Sequence, residues 1–409
     1  MKLVEKHIIS KNNQNWKNID YFSFISKNLY NQSLYYIKQI YNETGKYIRY
    51  YDVEKHFRLY DNENYCLLPN NTSQQILMLL DKNIKSFFQS LKKWKKDKSK
   101  FLGCPKFPKY KHKEKGRNIL IFTSNQFKLK EGYINFPKKI NLNPIKTKIK
   151  KNIKQVRIIP NSSCYIIEII YEYQQEDKNL NKSNYLSIDL GINNLCAMIS
   201  NQPGLKPILI NGKQIKSFNA YFNKILAKEK SQLKKNHNKD ISNKIQKMYL
   251  YRSNWINNYL HHVSKNIVNY CLKNDIGNII IGKNKNWKQN INIGKFNNQK
   301  FVMIPYDILI NQIKYKSEKI GIDVLIQEES YTSKCDAFAL EKICKHNKYL
   351  GKRKKRGLFQ SSTKKFINAD INGAINILRK VIGDNFVKDL ANIGCGYQPI
   401  KVNFNECIN

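Results

Sequence analysis

An ionisable side chain inside an apolar strand constrains this chain more than any other feature of its sequence. Leu186-Ser187-Ile188-Asp189-Leu190-Gly191-Ile192 reads as a buried strand running into a tight glycine turn, with Asp189 near its end. A carboxylate there is costly to desolvate unless it is paired or binds a cation. A fold that buries this strand must bring partners to Asp189, unless the side chain only caps the turn. A second carboxylate stands in Asn368-Ala369-Asp370-Ile371-Asn372-Gly373-Ala374-Ile375-Asn376-Ile377-Leu378, where Asp370 opens a predicted helix. Small residues on its facing turn let that helix approach a sheet and carry Asp370 toward the end of the strand. Simple N-capping is the competing role for Asp370. Phosphodiester hydrolysis by two metal ions about 3.5–4 Å apart needs carboxylates placed in this way.

The order of elements around these residues specifies an α/β layer. Strands predicted at 185–190, 195–200 and 206–210 form a meander. Helical stretches at 217–235 and 241–274, a strand at 278–282, a helix at 303–319, a strand at 322–328 and a last helix at 371–381 follow. A hairpin meander followed by alternating helix and strand fits the RNase H architecture. The first half has another texture. Apolar residues recur at helical spacing over 21–42 and 73–95, and Pro and Gly break the chain from Phe101 to Lys111. Short strand-like runs at 118–123, 133–136, 154–160 and 164–173 suit a small antiparallel sheet or barrel. The expected division is an N-terminal lobe over 1–180 with a helical insert at about 17–105, an α/β lobe over 181–385, and a tail over 386–409. Within the α/β lobe, a helical excursion is expected at about 213–275 and a basic loop at about 330–368.

The 73 Lys and Arg against 30 Asp and Glu leave a net charge of +43, more than solubility needs, and imply a polyanionic partner such as nucleic acid. Lys greatly outnumbers Arg, which favours diffuse phosphate neutralisation over bidentate base reading. Lys106, Lys109, Tyr110 and Lys111, and Trp287 beside Lys288, set stacking surfaces next to positive charge. Ordinary core packing would use the same aromatics. The run Lys352-Arg353-Lys354-Lys355-Arg356 would contact phosphates or else form a solvated loop. No apolar run approaches the roughly 18 to 20 residues of a membrane span, and the N-terminus lacks the pattern of a secretory signal. No membrane partner is expected, and the chain is placed in the cytoplasm with the nucleoid. The nine cysteines include no Cys-x-x-Cys pair, and Cys335, Cys344 and His346 are poorly spaced for a metal loop, so no zinc is expected.

The segment Ser187-Ile188-Asp189-Leu190-Gly191-Ile192-Asn193-Asn194-Leu195 resembles the first RuvC motif of the TnpB (OrfB) family, the insertion-sequence relatives of type V CRISPR effectors. Asp370 to Leu378 resembles the family's third motif. Tyr331-Thr332-Ser333-Lys334 is similar to the segment leading into its zinc loop, and Phe101 to Lys111 resembles its N-terminal Gly-Pro-Phe-Pro-x-Tyr-Lys element. These matches follow the family's order along nearly the whole chain. The resemblance implies an α/β RuvC (RNase H-like) nuclease domain and an N-terminal wedge-like β-barrel domain with an inserted helical recognition region. It also implies a transposon-associated, RNA-guided endonuclease that cuts target double-stranded DNA, with a guide RNA and the target as partners and two Mg²⁺ or Mn²⁺ ions as cofactors.

The chain departs from the family at one acidic position. The second motif normally ends its strand with Glu, whereas Asn278-Ile279-Ile280-Ile281-Gly282-Lys283-Asn284 has Gly282 there. The chain resembles a subgroup whose catalytic Glu is relocated and which lacks the zinc cysteines. Here the next strand ends in Glu328 and Glu329, and neighbouring strands about 4.8 Å apart let a long carboxylate reach the vacated place. Successive strand residues face opposite sides, so one of the two glutamates would join Asp189 and Asp370 as a metal ligand and catalytic residue. Two other readings are an inactive guided DNA-binding protein acting by occupancy, and a transposase performing strand transfer.

Overall fold

The computed structural model describes residues 1–284, 294–392, 398–403 and 406, in two compact units, Met1–Tyr173 and Gln174–Asn409. The expected division lay at residue 180. Among the described residues no helix is long and apolar enough to cross a membrane.

The first unit contains β1 (Lys2–Ile9), α1 (Trp16–Thr44), α2 (Tyr50–Leu59), α3 (Glu63–Leu67), α4 (Asn70–Lys96), β2 (Leu120–Thr123), β3 (Lys128–Lys130), β4 (Tyr133–Asn135), β5 (Ile145–Lys146), β6 (Ile153–Asn161) and β7 (Cys164–Glu172). Helices α1 and α4 are the two predicted from spacing. Their buried stripes, with Ile25, Leu29 and Leu34 on one and Ile76, Leu80 and Ile84 on the other, share a core with Val156, Ile158, Ile167 and Ile169 of the sheet. Helix α1 stops at Gly45, whose φ of 68° is cheap only for glycine. The larger sheet is antiparallel in the order β1-β7-β6-β2, and β3-β4-β5 form a second sheet. The expected barrel is therefore two open sheets around one core. The reason is local: the turn at Glu131 and Gly132, both with positive φ, folds β3 back on β4 instead of extending the larger sheet. Strand β1 and helices α2 and α3 were not predicted.

The second unit runs β8 (Tyr185–Leu190), β9 (Asn194–Ser200), β10 (Ile208–Asn211), α5 (Lys213–His237), α6 (Asn243–Lys273), β11 (Asn278–Gly282), α7 (Lys295–Val302), α8 (Tyr306–Glu318), β12 (Asp323–Gln327), β13 (Lys352–Lys355), β14 (Leu358–Gln360), β15 (Phe366–Asn368), α9 (Ala369–Ile382), α10 (Asn385–Asn392) and β16 (Ile400–Val402). Its main sheet has the order β12-β11-β8-β9-β10-β16. The meander β8-β9-β10 is antiparallel, while β11 and β12 run parallel to β8. This is the RNase H order with β16 added beside β10. Parallel strands need both faces covered, and alternate residues serve the two faces. Ile279 and Ile281 enter a core with Leu260 and Val263 of α6 and Leu309 and Ile313 of α8, whereas Ile280 enters the core under α9. The predicted basic loop contains the small sheet β13-β14-β15, which the sequence reading did not resolve into strands.

Ile281 is fully buried on β11, between β12 and β8. Truncation to Ala should cost about 2–5 kcal/mol. The expected result is a lower urea midpoint for the second unit at unchanged m-value.

Candidate active site

Asp189 lies near the end of β8 on the face that α9 covers. On the same face Ser187 donates its hydroxyl proton to the Ala374 carbonyl at 2.7 Å, tying strand to helix. Gly373 makes the close approach possible. A Cβ there would stand 2.7 Å from Asp189 Oδ2, so any side chain would push the helix away from the carboxylate. Ala369 and Ala374 are likewise buried on this face, as the small-residue pattern predicted.

The capping question is resolved at the start of α9. Asn368 is the N-cap and accepts from the backbone N–H groups of Asp370 and Ile371. The Asp370 carboxylate takes other partners: Asn194 donates to Oδ2 at 2.7 Å, and Arg353 approaches Oδ1 at 3.4 Å.

Register decides what lies beside Asp189 on the opposite flank. Ile281 pairs with Ile188, so one step along both strands brings Gly282 alongside Asp189. Gly282 pairs with Gln327 at the end of β12, and the chain beyond it turns back toward the site. Asn284 accepts from the Glu329 N–H at 3.0 Å and donates its side-chain amide to Oε1 at 3.5 Å. Glu329 Oε2 then lies 2.8 Å from the point where a Cβ on Gly282 would sit. The missing side chain at 282 leaves space that Ile377 and Glu329, the latter from just beyond β12, both enter. Glu328 is directed elsewhere: it is largely exposed, ion-paired to Lys380 at 3.1 Å, and bonded to the backbone N–H of Ser330.

The electrostatics mark Asp189, Glu329 and Asp370 as one group. Burial first, then the negative charges of Glu329 and Asp370, push the Asp189 carboxyl well above the usual carboxylate range, against a smaller pull from Arg353. Burial and the neighbouring Glu328 push Glu329 up to about 7, with Lys380 acting in the opposite sense. The desolvated carboxyls of Asp189 and Glu329 meet the part-exposed Asp370 at this edge beside one guanidinium, and the first two resist ionisation unless a cation compensates them. Hard oxygen donors of this kind suit Mg²⁺ or Mn²⁺. As they stand, no three His, Cys, Asp or Glu side chains among the described residues are arranged to hold one ion together. Asp370 is drawn to Asn194 and Arg353, and Glu329 to Asn284. The donor chemistry fits divalent cations.

Beside Asp370 lies a cavity of about 350 Å³ lined by the turn Gly191-Ile192-Asn193-Asn194 and by Arg353, Arg356 and Gly357. Lys352, Lys354 and Lys355 project from β13 into solvent. The loop before this hairpin is stitched to α9 by buried polar side chains. Asn372 accepts from the Ala337 N–H and donates to the Cys335 carbonyl, and Asn376 donates to the Thr332 and Cys335 carbonyls. Asp336, fully buried, accepts from Ser361 Oγ and from the N–H groups of Ser362 and Ala339. Glu341 accepts from the N–H groups of Asp336 and Leu350. Sequence reasoning missed Asp336 and Glu341, because acidic residues in a loop read as solvated until the fold encloses them. Cys344 Sγ and His346 Nε2 are 3.4 Å apart, and His346 also meets the Lys342 carbonyl.

In the first unit Lys106, Lys109 and Tyr110 are exposed, and Lys38 Nζ lies 4.5 Å from the Tyr110 ring centre. Lys111 is only half-exposed: its ammonium lies 5.2 Å from the Tyr30 ring centre and burial pulls its pKa down. Trp287 and Lys288 fall outside the described residues.

The strand order defines an RNase H-like sheet, with Asp189, Glu329 and Asp370 gathered at one edge of it. The model of the IS605 OrfB family, described as a probable transposase, matches residues 168–288, and the Cas12f1-like TNB domain model matches residues 306–377. A solved complex of Cas12f1 with sgRNA and target DNA is similar over 88% of this chain and 82% of that one, at 16% identity and a TM-score of 0.52. A CRISPR-Cas12f ternary complex matches over 88% and 81% at 16% identity, with a TM-score of 0.37. No curated protein matches the chain. The two family models, over residues 168–288 and 306–377, support a likeness to the TnpB-like family across that part of the chain.

The raised pKa of Glu329 has a signed consequence. Between its ordinary value of 4.5 and about 7, the folded state keeps a proton that the unfolded chain has released, so stability falls as pH rises through that window. In metal-free buffer, Glu329→Gln should lose less stability than wild type between about pH 5 and about pH 8. Melting midpoints at the two pH values check this, and equal losses would show that Glu329 does not titrate in the pocket.

Proposed function

We propose that this protein is an RNA-guided DNA endonuclease of the TnpB type whose third catalytic carboxylate is Glu329. The observation that carries the reading is the place of Glu329 Oε2 over Gly282, on the same edge as Asp189 and within electrostatic reach of it. Asp189, Glu329 and Asp370 would hold two Mg²⁺ or Mn²⁺ ions, which when bound supply activation of the attacking water and stabilisation of the leaving oxygen.

The rest of the work falls to the chain. Asp189 and Glu329 are desolvated, so once a bound cation favours their ionised forms their charge would act strongly on whatever enters the pocket. Arg353 and Arg356 border the cavity next to Asp370, where a scissile phosphate would meet two guanidiniums. The exposed lysines of β13 would add sequence-independent hold on flanking phosphates. The Asn372, Asn376 and Asp336 contacts fix the loop against α9, so Arg353 and Asp370 keep their relation. An RNA guide and a DNA target are proposed as partners because the Cas12f1 structure that shares this fold is a complex with sgRNA and target DNA. No zinc is proposed, since the loop before the hairpin is held by carboxylate and amide hydrogen bonds.

Three variants and one cofactor titration test the proposal. Purified protein with its co-purified RNA should cut matching DNA only with Mg²⁺ or Mn²⁺, and Asp189→Ala should remove cutting while DNA binding persists. Glu329→Gln should lower the rate by about 10²-fold or more, the scale of losing a charge-stabilising catalytic group. Glu328→Gln should stay within a few-fold of wild type. If Glu328→Gln carries the loss instead, the assignment of the third carboxylate is wrong. Binding without metal-stimulated cutting would select the occupancy reading, and strand transfer without a defined RNA would select the transposase.

A further inference from the structure

The hairpin of α5 and α6 carries a feature that the nuclease chemistry does not use. Between the two helices lies a cavity of about 410 Å³ lined by Phe218, Tyr221, Phe222, Ile225, Met248 and Tyr251, with Lys244 and Lys247 at its rim. Its size falls within the roughly 300–1,000 Å³ of small-molecule sites. The floor is firm: Phe218 stacks on Trp255 at 3.9 Å between ring centres, and Phe222 is buried. The mouth is aromatic and open, since Tyr221 is 65% and Tyr251 64% exposed.

The charge around this cavity states what it suits. The two helices carry eleven lysines and one arginine against a single glutamate, Glu229. Glu229 is itself paired to Lys244 at 2.7 Å. A flat apolar slot in a strongly cationic surface complements a ligand with aromatic faces joined by phosphates. Duplex DNA keeps its bases stacked, and extruding one costs a few kcal/mol. RNA loops and bulges present bases already splayed out for stacking on aromatic side chains.

We propose that the α5–α6 cavity is a binding site for an unpaired base of RNA, with Tyr221 and Tyr251 as the stacking faces and Lys247 as a phosphate contact. The inference rests on the proposed RNA partner and adds a place where that RNA is gripped.

Full-length protein with a fluorescein-labelled oligo(U) provides the test. Tyr221→Ala and Tyr251→Ala should each weaken binding about tenfold without changing its salt dependence, and Tyr251→Phe should bind like wild type. Lys247→Ala should instead reduce the slope of log affinity against log salt by about 0.7. Ultraviolet crosslinking should place uridine on the peptides containing Tyr221 or Tyr251. Crosslinks confined to other peptides, with both alanine variants at wild-type affinity, overturn the proposal. So does equal tyrosine-dependent binding of oligo(dT), which marks a site for single-stranded DNA. A dimer in solution that Tyr221→Ala converts to monomer overturns it in favour of a second copy of the chain. Tyrosine-dependent oligo(U) binding in a preparation that never cuts DNA would sink the nuclease reading alone and leave this site standing.

Discussion

The closeness of α9 to the central strand decides the rest of the second unit. Gly373 leaves no atom where a Cβ would press on Asp189 Oδ2, and Ser187 locks the approach by donating to the Ala374 carbonyl. The first turn of that helix carries Asp370, so the distance between helix and strand sets the relation of two carboxylates far apart in sequence. Its next turns carry Asn372 and Asn376, which hold the following layer, the loop before the arginine hairpin. Ile377 completes the fit by covering Gly282. One helix seated by small residues thus positions the acidic edge, the basic hairpin and the space that Glu329 enters.

Much of this was legible because it depends on short-range pattern. Asp189 in an apolar strand, the small residues around Asp370 and the alternation of elements are local signals, and the sheet order follows from them. The choice between Glu328 and Glu329 was not legible. Alternation assigns faces only while the chain stays in the strand, and β12 ends at Gln327, before either glutamate. Beyond that point Lys380 and Asn284, from distant parts of the chain, determine which carboxylate turns inward. Strands β13, β14 and β15 escaped for a similar reason. β13 is all Lys and Arg with no buried face, and β14 and β15 are three residues each, with single buried positions, Phe359 and Ile367, that anchor them to the core beneath α9. The barrel expected in the first unit counted strands correctly in kind but had no access to their pairing.

The placement of Glu329 beside Gly282 is a matter of volume as much as of charge. A carboxylate reaching in from beyond β12 fits only where position 282 leaves the space free. A Cβ at 282 would crowd Ile377 and Glu329 together, so glycine at 282 and glutamate at 329 are a matched pair. Each alone would be a defect: a void beside a buried carboxylate in one case, an overpacked helix contact in the other. The raised pKa of Glu329 follows from this arrangement, since reaching the pocket means leaving solvent.

The loop between β12 and β13 solves another problem of the same kind. An irregular segment of this length carries backbone N–H groups that must be satisfied wherever it is buried. Asp336 and Glu341 each accept more than one of these hydrogen bonds, and Arg379, itself almost fully buried, donates to the Glu341 carbonyl and to Asn376. A fully satisfied polar network holds a segment in one arrangement because every alternative leaves a buried group without a partner. The hydrogen bonds of these carboxylates and amides hold the loop rigid. The hairpin bearing Arg353 inherits that rigidity, which keeps its guanidinium beside Asp370 at the edge of the acidic cluster.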